Sequence, residues 1–307
     1  MKDLKEKTKA TDLFIIGDVT KFNSSLIEKN GLGDNIIRDF FVIDKEKWGE
    51  FSLPKHYLFN LKKYGMPYSL KKQVATVLTT YGCPFNCAFC NSGSYGYKER
   101  PVEEIILELS QLKKMGIKEI CFRDFTFTAN LSRVKEICEE MINSDLNFVW
   151  SCEARVSVTE DVLKLMKKAG CYLIFFGVET LNDRTLEAMR KGINSVMIKK
   201  AFSVCRDLKI ETLASFIIGL PGEDEVDYAN TLEFAKKHCN YASFNTYEPR
   251  PGASLQDKGS HLFTITKQIE KSFYIRPSYI LKQILCVRSV NRLINFFRNG
   301  KKILFND

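Results

Sequence analysis

The chain has 307 residues, 45% hydrophobic and 27% charged, with a formal net charge of +9 at pH 7. That balance fits a globular chain able to bury a large core, as one big α/β domain or two smaller ones, and excludes a low-complexity or disordered polymer. No apolar run reaches membrane-spanning length and the N-terminus, Met1 to Lys7, lacks the apolar stretch of a secretory signal, so no membrane span and a cytoplasmic location are expected.

In chain order, the first strand candidate is Asp12–Gly17, followed by an irregular polar stretch to about residue 70. From Val74 onward strands and helices alternate. The expected strands are Val74–Thr80, Glu119–Arg123, Asn147–Cys152, Tyr172–Phe176, Ala214–Ile218 and Tyr241–Tyr247. Between them the spacing predicts helices over Val102–Met115, Ser132–Asn143, Thr159–Lys168, Asp183–Arg190 with Val196–Leu208, and Glu225–His238. Pro101 suits a first helical position, and Gly116 and Gly170 suit helix ends. Six βα units in this order predict a parallel sheet with helices outside, curled by right-handed crossovers into a whole or partial barrel. After Pro251-Gly252 the tail turns helical and basic, with Tyr279–Val287 and Val290–Phe297 as its amphipathic pieces. Paired lysines on the helices (Lys113-Lys114, Lys167-Lys168, Lys236-Lys237) carry much of the net charge. They hint at an anionic partner but read first as solvated faces.

In such a sheet chemistry belongs at the C-terminal ends of the strands. After the first strand comes Cys83-Pro-Phe-Asn-Cys87-Ala-Phe-Cys90. Of ten cysteines only these three cluster; the others, scattered through strands and helices, read as small buried hydrophobes. A cubane iron–sulfur cluster held by only three thiolates keeps one iron open for a small molecule, whereas a four-cysteine cluster mostly passes electrons. A zinc site is the alternative; it needs a fourth ligand, and His56, His238 and His261 stand at no spacing typical of zinc modules. The second strand ends in Arg123-Asp124-Phe125, where a carboxylate can receive a cation or serve as a turn or N-cap residue. The third ends in Glu153-Ala-Arg155, where the arginine suits a bidentate carboxylate partner or an ion pair with Glu153. Glu179 closes the apolar fourth strand and is costly there without a partner. Gly219, in Gly219-Leu-Pro-Gly-Glu223, lets backbone approach a ligand closely.

The C-x3-C-x2-C loop, the D-x-x-F at Asp124, the F-G-V-E at Glu179, the G-L-P-G-E at Gly219 and the closing turn Glu248–Ala253, in this order over about residues 70–255, resemble the radical S-adenosylmethionine (SAM) superfamily. The resemblance is strongest to the branch that carries an N-terminal cobalamin-binding domain, related to the anaerobic magnesium-protoporphyrin monomethyl ester cyclase. It implies a partial (β/α)6 TIM-like barrel, with residues 1–69 as a remnant of the cobalamin-type domain plus linker, 70–255 as the core and 256–307 as a helical basic extension. It further implies a [4Fe-4S] cluster on Cys83, Cys87 and Cys90, and reductive cleavage of SAM to a 5′-deoxyadenosyl radical that acts on a substrate. By the same resemblance Phe89 lies near the adenine, Asp124 meets the methionine ammonium, Arg155 its carboxylate, Glu179 the ribose hydroxyls and Gly219 the adenine. Expected partners are a small-molecule substrate, anionic if Arg123 or Arg250 meets it, and an electron donor such as flavodoxin or ferredoxin. No Asp-x-His precedes the cysteine loop, so cobalamin would come from a separate chain, or the enzyme works without it. A tRNA-modifying relative and a non-catalytic iron–sulfur protein are the rival readings; nucleic acid is not expected as a partner.

Overall fold

Strands rich in β-branched and aromatic residues alternate with amphipathic helices, and they assemble into one six-stranded, all-parallel sheet. The computed structural model describes residues 53–285 apart from 59, 62–65, 67, 251, 252 and 256–261, together with two short parallel strands, Phe14–Ile16 and Asn35–Ile37. The sheet strands are β1 (Ala75–Val77), β2 (Glu119–Phe122), β3 (Val149–Ala154), β4 (Cys171–Glu179), β5 (Glu211–Ile218) and β6 (Tyr241–Thr246). They lie side by side in sequence order, with β1 and β6 as the edges, which is the expected partial (β/α)6 barrel. The helices are α1 (Val102–Lys114), α2 (Leu131–Asn143), α3 (Glu160–Lys168), α4 (Asp183–Ala188), α5 (Ser195–Asp207), α6 (Glu225–His238), α7 (Phe263–Tyr274) and α8 (Pro277–Leu285).

Strand alternation sets the core. Residues on one face, among them Phe122, Trp150, Cys152, Phe176, Phe216 and Phe244, are buried against the helices. Trp150 packs edge-on to Phe122 at 5.2 Å and donates its indole N–H to the Ala169 carbonyl at 2.8 Å, so its one polar atom is satisfied. The opposite end of the sheet from the strand tips is closed by the segment around Tyr68, whose ring lies 4.4 Å from that of Tyr241. Glu119 binds that segment by accepting from the Lys71 N–H and links to β4 by accepting from the Tyr172 hydroxyl, both at 2.6 Å. The strand tips are left as the open rim. Gly116 (φ +80°) and Gly170 (φ +103°) follow the ends of α1 and α3 as expected, and a Cβ on Gly170 would lie 2.0 Å from the Phe148 carbonyl oxygen.

Three expectations need correction. The first strand stops at Val77, and Thr80–Gly82 instead pairs antiparallel with Tyr97–Glu99, so the cysteine loop is the tip of a hairpin. The cause is Asp124, which takes the N–H groups of Thr79 and Thr80 at 2.7 and 2.6 Å and so removes them from a ladder with β2. Pro101 caps α1 from an extended conformation and is not its first helical residue. In the tail, α7 was not legible as a separate helix; it docks on β6 through Phe273, fully buried, and through the Tyr274 hydroxyl, which donates to the Ala242 carbonyl. Val290–Phe297, most of the proposed 1–69 unit, and Pro251-Gly252 of the closing turn lie outside the described residues. Among the described residues no helix is long and apolar enough to cross a membrane.

Candidate functional site

The hairpin that presents the cysteines is tight. A Cβ on Gly82 would lie 1.8 Å from the Gly96 carbonyl oxygen, the same oxygen that accepts from the Cys83 N–H at 3.0 Å. The loop is tied down at its middle: the Ala88 N–H donates to Met189 O at 2.8 Å, and Ala88 O accepts from the Leu255 N–H at 2.8 Å. Cys83, Cys87 and Cys90 are unpaired by disulfides. Each sulfur has its own polar neighbour: Thr126 Oγ1 lies 3.8 Å from Cys83 Sγ, Arg155 Nη1 donates to Cys87 Sγ at 3.5 Å, and Ser92 N–H donates to Cys90 Sγ at 3.4 Å. A guanidinium nitrogen and other polar groups thus stand beside the three sulfurs. Among the described residues no three His, Cys, Asp or Glu side chains converge on a single-ion position. A single tetrahedral ion needs that convergence, while a four-iron cluster takes each thiolate on a different iron. The donor set and its surroundings therefore fit a cluster. Outside the loop, Cys121, Cys138, Cys152, Cys171, Cys205 and Cys239 are buried, and burial pushes the Cys121, Cys138, Cys152 and Cys205 thiols up, as for inert core residues. Cys286 lies outside the described residues.

Beside the loop the expected site residues meet through one lysine absent from the sequence reading. Arg155 is buried, its guanidinium lies 4.0 Å from the Phe85 ring centroid, and its Nη2 donates to the Lys191 carbonyl. Lys191 Nζ lies 2.7 Å from Glu179 Oε1 and 5.3 Å from the Phe89 ring centroid. Both partners of that ion pair are buried. Glu179 holds a left-handed φ of +69°, at an irregularity in the β4–β5 register that turns its carboxylate back over Gly177. A Cβ on Gly177 would stand 2.8 Å from Glu179 Oε1 and 3.1 Å from Lys191 Nζ, so the ends of the paired side chains lie directly over the glycine. Among the described residues Glu179 Oε2 has no hydrogen-bond partner. Phe89, Arg155, Glu179 and Cys87 thus form one connected cluster. The only sequence signal for Lys191 was the cost of leaving Glu179 alone, and a partner twelve residues away across a helix is not readable from spacing.

Asp124 and Glu153 are engaged elsewhere. Asp124 is buried and accepts four hydrogen bonds, from the backbone and hydroxyl groups of Thr79 and Thr80 at 2.6–3.0 Å. Burial raises its pKa while those four bonds lower it, and both oxygens are committed to the base of the hairpin. This geometry makes Asp124 a brace of the hairpin base. Glu153 pairs with Arg123 at 2.7 Å, so the expected alternative of an Arg155–Glu153 pair is not formed.

Gly219 follows β5 with φ +89°. Four residues on, the Glu223 N–H closes the turn on Leu220 O at 3.1 Å. The Glu223 carboxyl is raised to about 7, chiefly by burial and in spite of a hydrogen bond with Thr180, and its Oε1 is buried with no partner. The sign follows from proton uptake: a carboxyl that holds its proton more tightly when folded loses stability as pH rises from its unfolded value near 4.5 through 7. Discounted for partial exposure, the loss is ~1–2 kcal/mol. Glu223→Gln should remove that decline, so denaturant unfolding at about pH 5 and about pH 8 should converge at the acid end and favour the variant at the alkaline end. Parallel pH profiles for the two proteins would contradict it.

Comparison with known proteins sets this geometry in context. The sequence profile of the radical SAM superfamily matches residues 77–235. An uncharacterized methyltransferase of Pyrococcus horikoshii is 34% identical over 272 residues, covering 76% of this chain and 58% of that protein. The anaerobic magnesium-protoporphyrin IX monomethyl ester cyclase of Rubrivivax gelatinosus is 27% identical over 240 residues, covering 75% of this chain and 43% of that protein. The chain thus spans about half the length of these curated relatives. A solved radical SAM methyltransferase from Kitasatospora setae, with cobalamin and a [4Fe-4S] cluster bound, superposes with a TM-score of 0.56 at 18% identity, over 59% of this chain and 38% of that one, and shares the fold.

Proposed function

The chain belongs to the radical SAM superfamily, and from that premise we propose that Cys83, Cys87 and Cys90 hold a [4Fe-4S] cluster on which SAM is reductively cleaved for chemistry on a small-molecule substrate. The observation that carries the reading is the juxtaposition of three unpaired thiols on one rim hairpin with the buried Arg155–Lys191–Glu179 cluster. When bound, the cluster supplies one electron to the sulfonium, and SAM supplies the species that takes a hydrogen atom from the substrate.

The protein's part is binding, orientation and exclusion of water. Arg155 holds positive charge against the Cys87 sulfur and, through the Lys191 carbonyl, fixes the backbone that carries the Lys191 side chain. Lys191 pairs with Oε1 of the buried Glu179 and leaves Oε2 as acceptor for hydroxyls such as those of a ribose. The Phe89 ring, with Lys191 on one side, offers a stacking surface for an adenine, and the backbone at Gly219 admits close approach. Asp124 serves the site by fixing the hairpin base. The Tyr68 plug closes the far end of the sheet, so substrate enters from the rim.

The proposed compartment is the cytoplasm, where free thiols stay reduced and a flavodoxin- or ferredoxin-type donor is at hand. An anionic substrate would meet Arg123 or Arg250 at the rim. Cobalamin, bound on a separate chain, enters as an arm of the test. Anaerobically reconstituted protein should gain a broad visible absorption band and, with dithionite and SAM, release 5′-deoxyadenosine. Iron-loaded, reduced protein that leaves SAM intact, with or without added cobalamin, would refute the reading.

A further inference from the structure

At the end of the sheet away from the cysteine loop lies a cavity of about 420 Å³, where β5 and β6 begin and where α5 and α6 end. Its walls carry Arg206, Lys209, Lys236, Lys237 and Arg276 against one carboxylate, Glu211. Part of this charge has a local cause. Cations in the last turns of α5 and α6 complement helix ends that each carry roughly half a negative charge. Two exposed carboxylates also take a share: Asp207 lies 3.6 Å from Arg206, and Glu233 lies 3.5 Å from Lys236. Lys209, Lys237 and Arg276 have no carboxylate partner among the described residues. Arg276 is held instead by carbonyls of Phe273 and Lys236 and by the faces of Phe273 and Tyr279, at 4.1 and 5.1 Å, which fixes a guanidinium at the cavity wall.

Two further groups point the same way. His238 lines the cavity with its Nδ1 buried and unpartnered, and burial together with Lys237, Arg206 and Lys199 holds its pKa down. Asn240 is fixed by accepting from the Thr212 N–H at 3.0 Å, and this leaves its amide donors for a ligand. Phe202, Tyr241 and Tyr279 supply an apolar wall, and the volume falls in the range of small-molecule sites.

We propose that this cavity is a binding site for a phosphorylated small molecule of nucleotide size, its phosphates on Lys209, Lys237 and Arg276 and its organic part on the aromatic wall. The site lies at the opposite end of the strands from the cysteine hairpin, so the ligand is neither SAM nor substrate, and it needs no cluster for binding. By bridging α6 to the Arg276–Tyr279 start of α8, it would clamp the C-terminal helices to the barrel.

The test is calorimetric titration of the full chain, without reconstitution, with ATP, ribose 5-phosphate and inorganic phosphate at ~0.15 M salt. ATP should bind in the micromolar range and shift the His238 ring resonance. Lys209→Glu combined with Lys237→Glu, both exposed positions, should weaken it by about tenfold or more. The equal charge change at Lys114 and Lys118, on the far side of the sheet, should leave it unaltered. Ribose 5-phosphate binding in place of ATP would keep the site and shrink its ligand to a sugar phosphate. No heat from either organic phosphate up to millimolar concentration, equal loss in both double variants, or inorganic phosphate binding as well as the organic probes would overturn the proposal. None of these outcomes depends on SAM cleavage.

Discussion

Lys191→Met is expected to destabilise the folded chain by ~3–5 kcal/mol, because it leaves the Glu179 carboxylate buried without its countercharge. The methionine fills a similar volume, so little of the loss comes from a cavity. The carboxylate has few ways to escape: β4 holds it in a left-handed conformation over Gly177, and a swing outward would have to undo the β4–β5 irregularity. Adding Glu179→Gln should restore much of the stability by removing the uncompensated charge, with a coupling energy of several kcal/mol between the two sites in a double-mutant cycle. Two additive substitutions would mean the pair is solvated and weak. A second readout separates the site from the fold. In the refolded double variant the Phe89 ring loses its cation and Glu179 its charge, so SAM affinity should fall even where stability has returned. Unchanged SAM affinity would remove Glu179 and Lys191 from the proposed binding cluster while leaving their structural role intact.

The strand–helix order was legible because the strands are short, mostly buried segments rich in apolar residues, most clearly β4, and because Gly116 and Gly170 mark helix ends. The open rim followed from that order alone. What sequence reading missed has one physical character: polar groups that bind across the fold. Asp124 at the end of β2 captures the amides of Thr79 and Thr80, and this converts the end of the expected first strand into a hairpin. Nothing in the spacing of residues 74–80 announces a carboxylate 45 residues later. Lys191 escaped notice for the same reason, as a lysine past a short helix normally points to water. Of the two partners open to Arg155, Glu153 goes instead to Arg123 at the tip of the neighbouring strand, whereas Arg155, just past the end of β3, turns to Cys87 and Lys191. Local pattern gave the elements; pairing of buried charge, which depends on register between strands, decided the site.

Cys87→Ala should fold and yet retain almost no cluster iron after reconstitution, with SAM cleavage at background. Cys152→Ala gives the opposite pattern. Cys152 is fully buried among core residues, so its truncation costs ~1 kcal/mol of stability and leaves iron uptake unchanged. The two cysteines differ in what surrounds the sulfur. Around Cys152 there are apolar neighbours and other thiols, which favour the neutral form and repel a metal ligand's charge. Cys87 has a guanidinium nitrogen at 3.5 Å and lies on a loop whose backbone is fixed at Ala88 by Met189 and Leu255. Those fixing bonds do not involve the sulfur, so the hairpin should persist in Cys87→Ala and the loss of iron reports ligation, not misfolding. Arg155→Gln supplies the intermediate case. The sulfur stays but its cation goes, so iron should still load while the reduced cluster and SAM affinity both weaken. Full iron in Cys87→Ala, measured alongside unchanged thermal unfolding, would show that the loop is not the metal site, whatever the family to which the chain belongs.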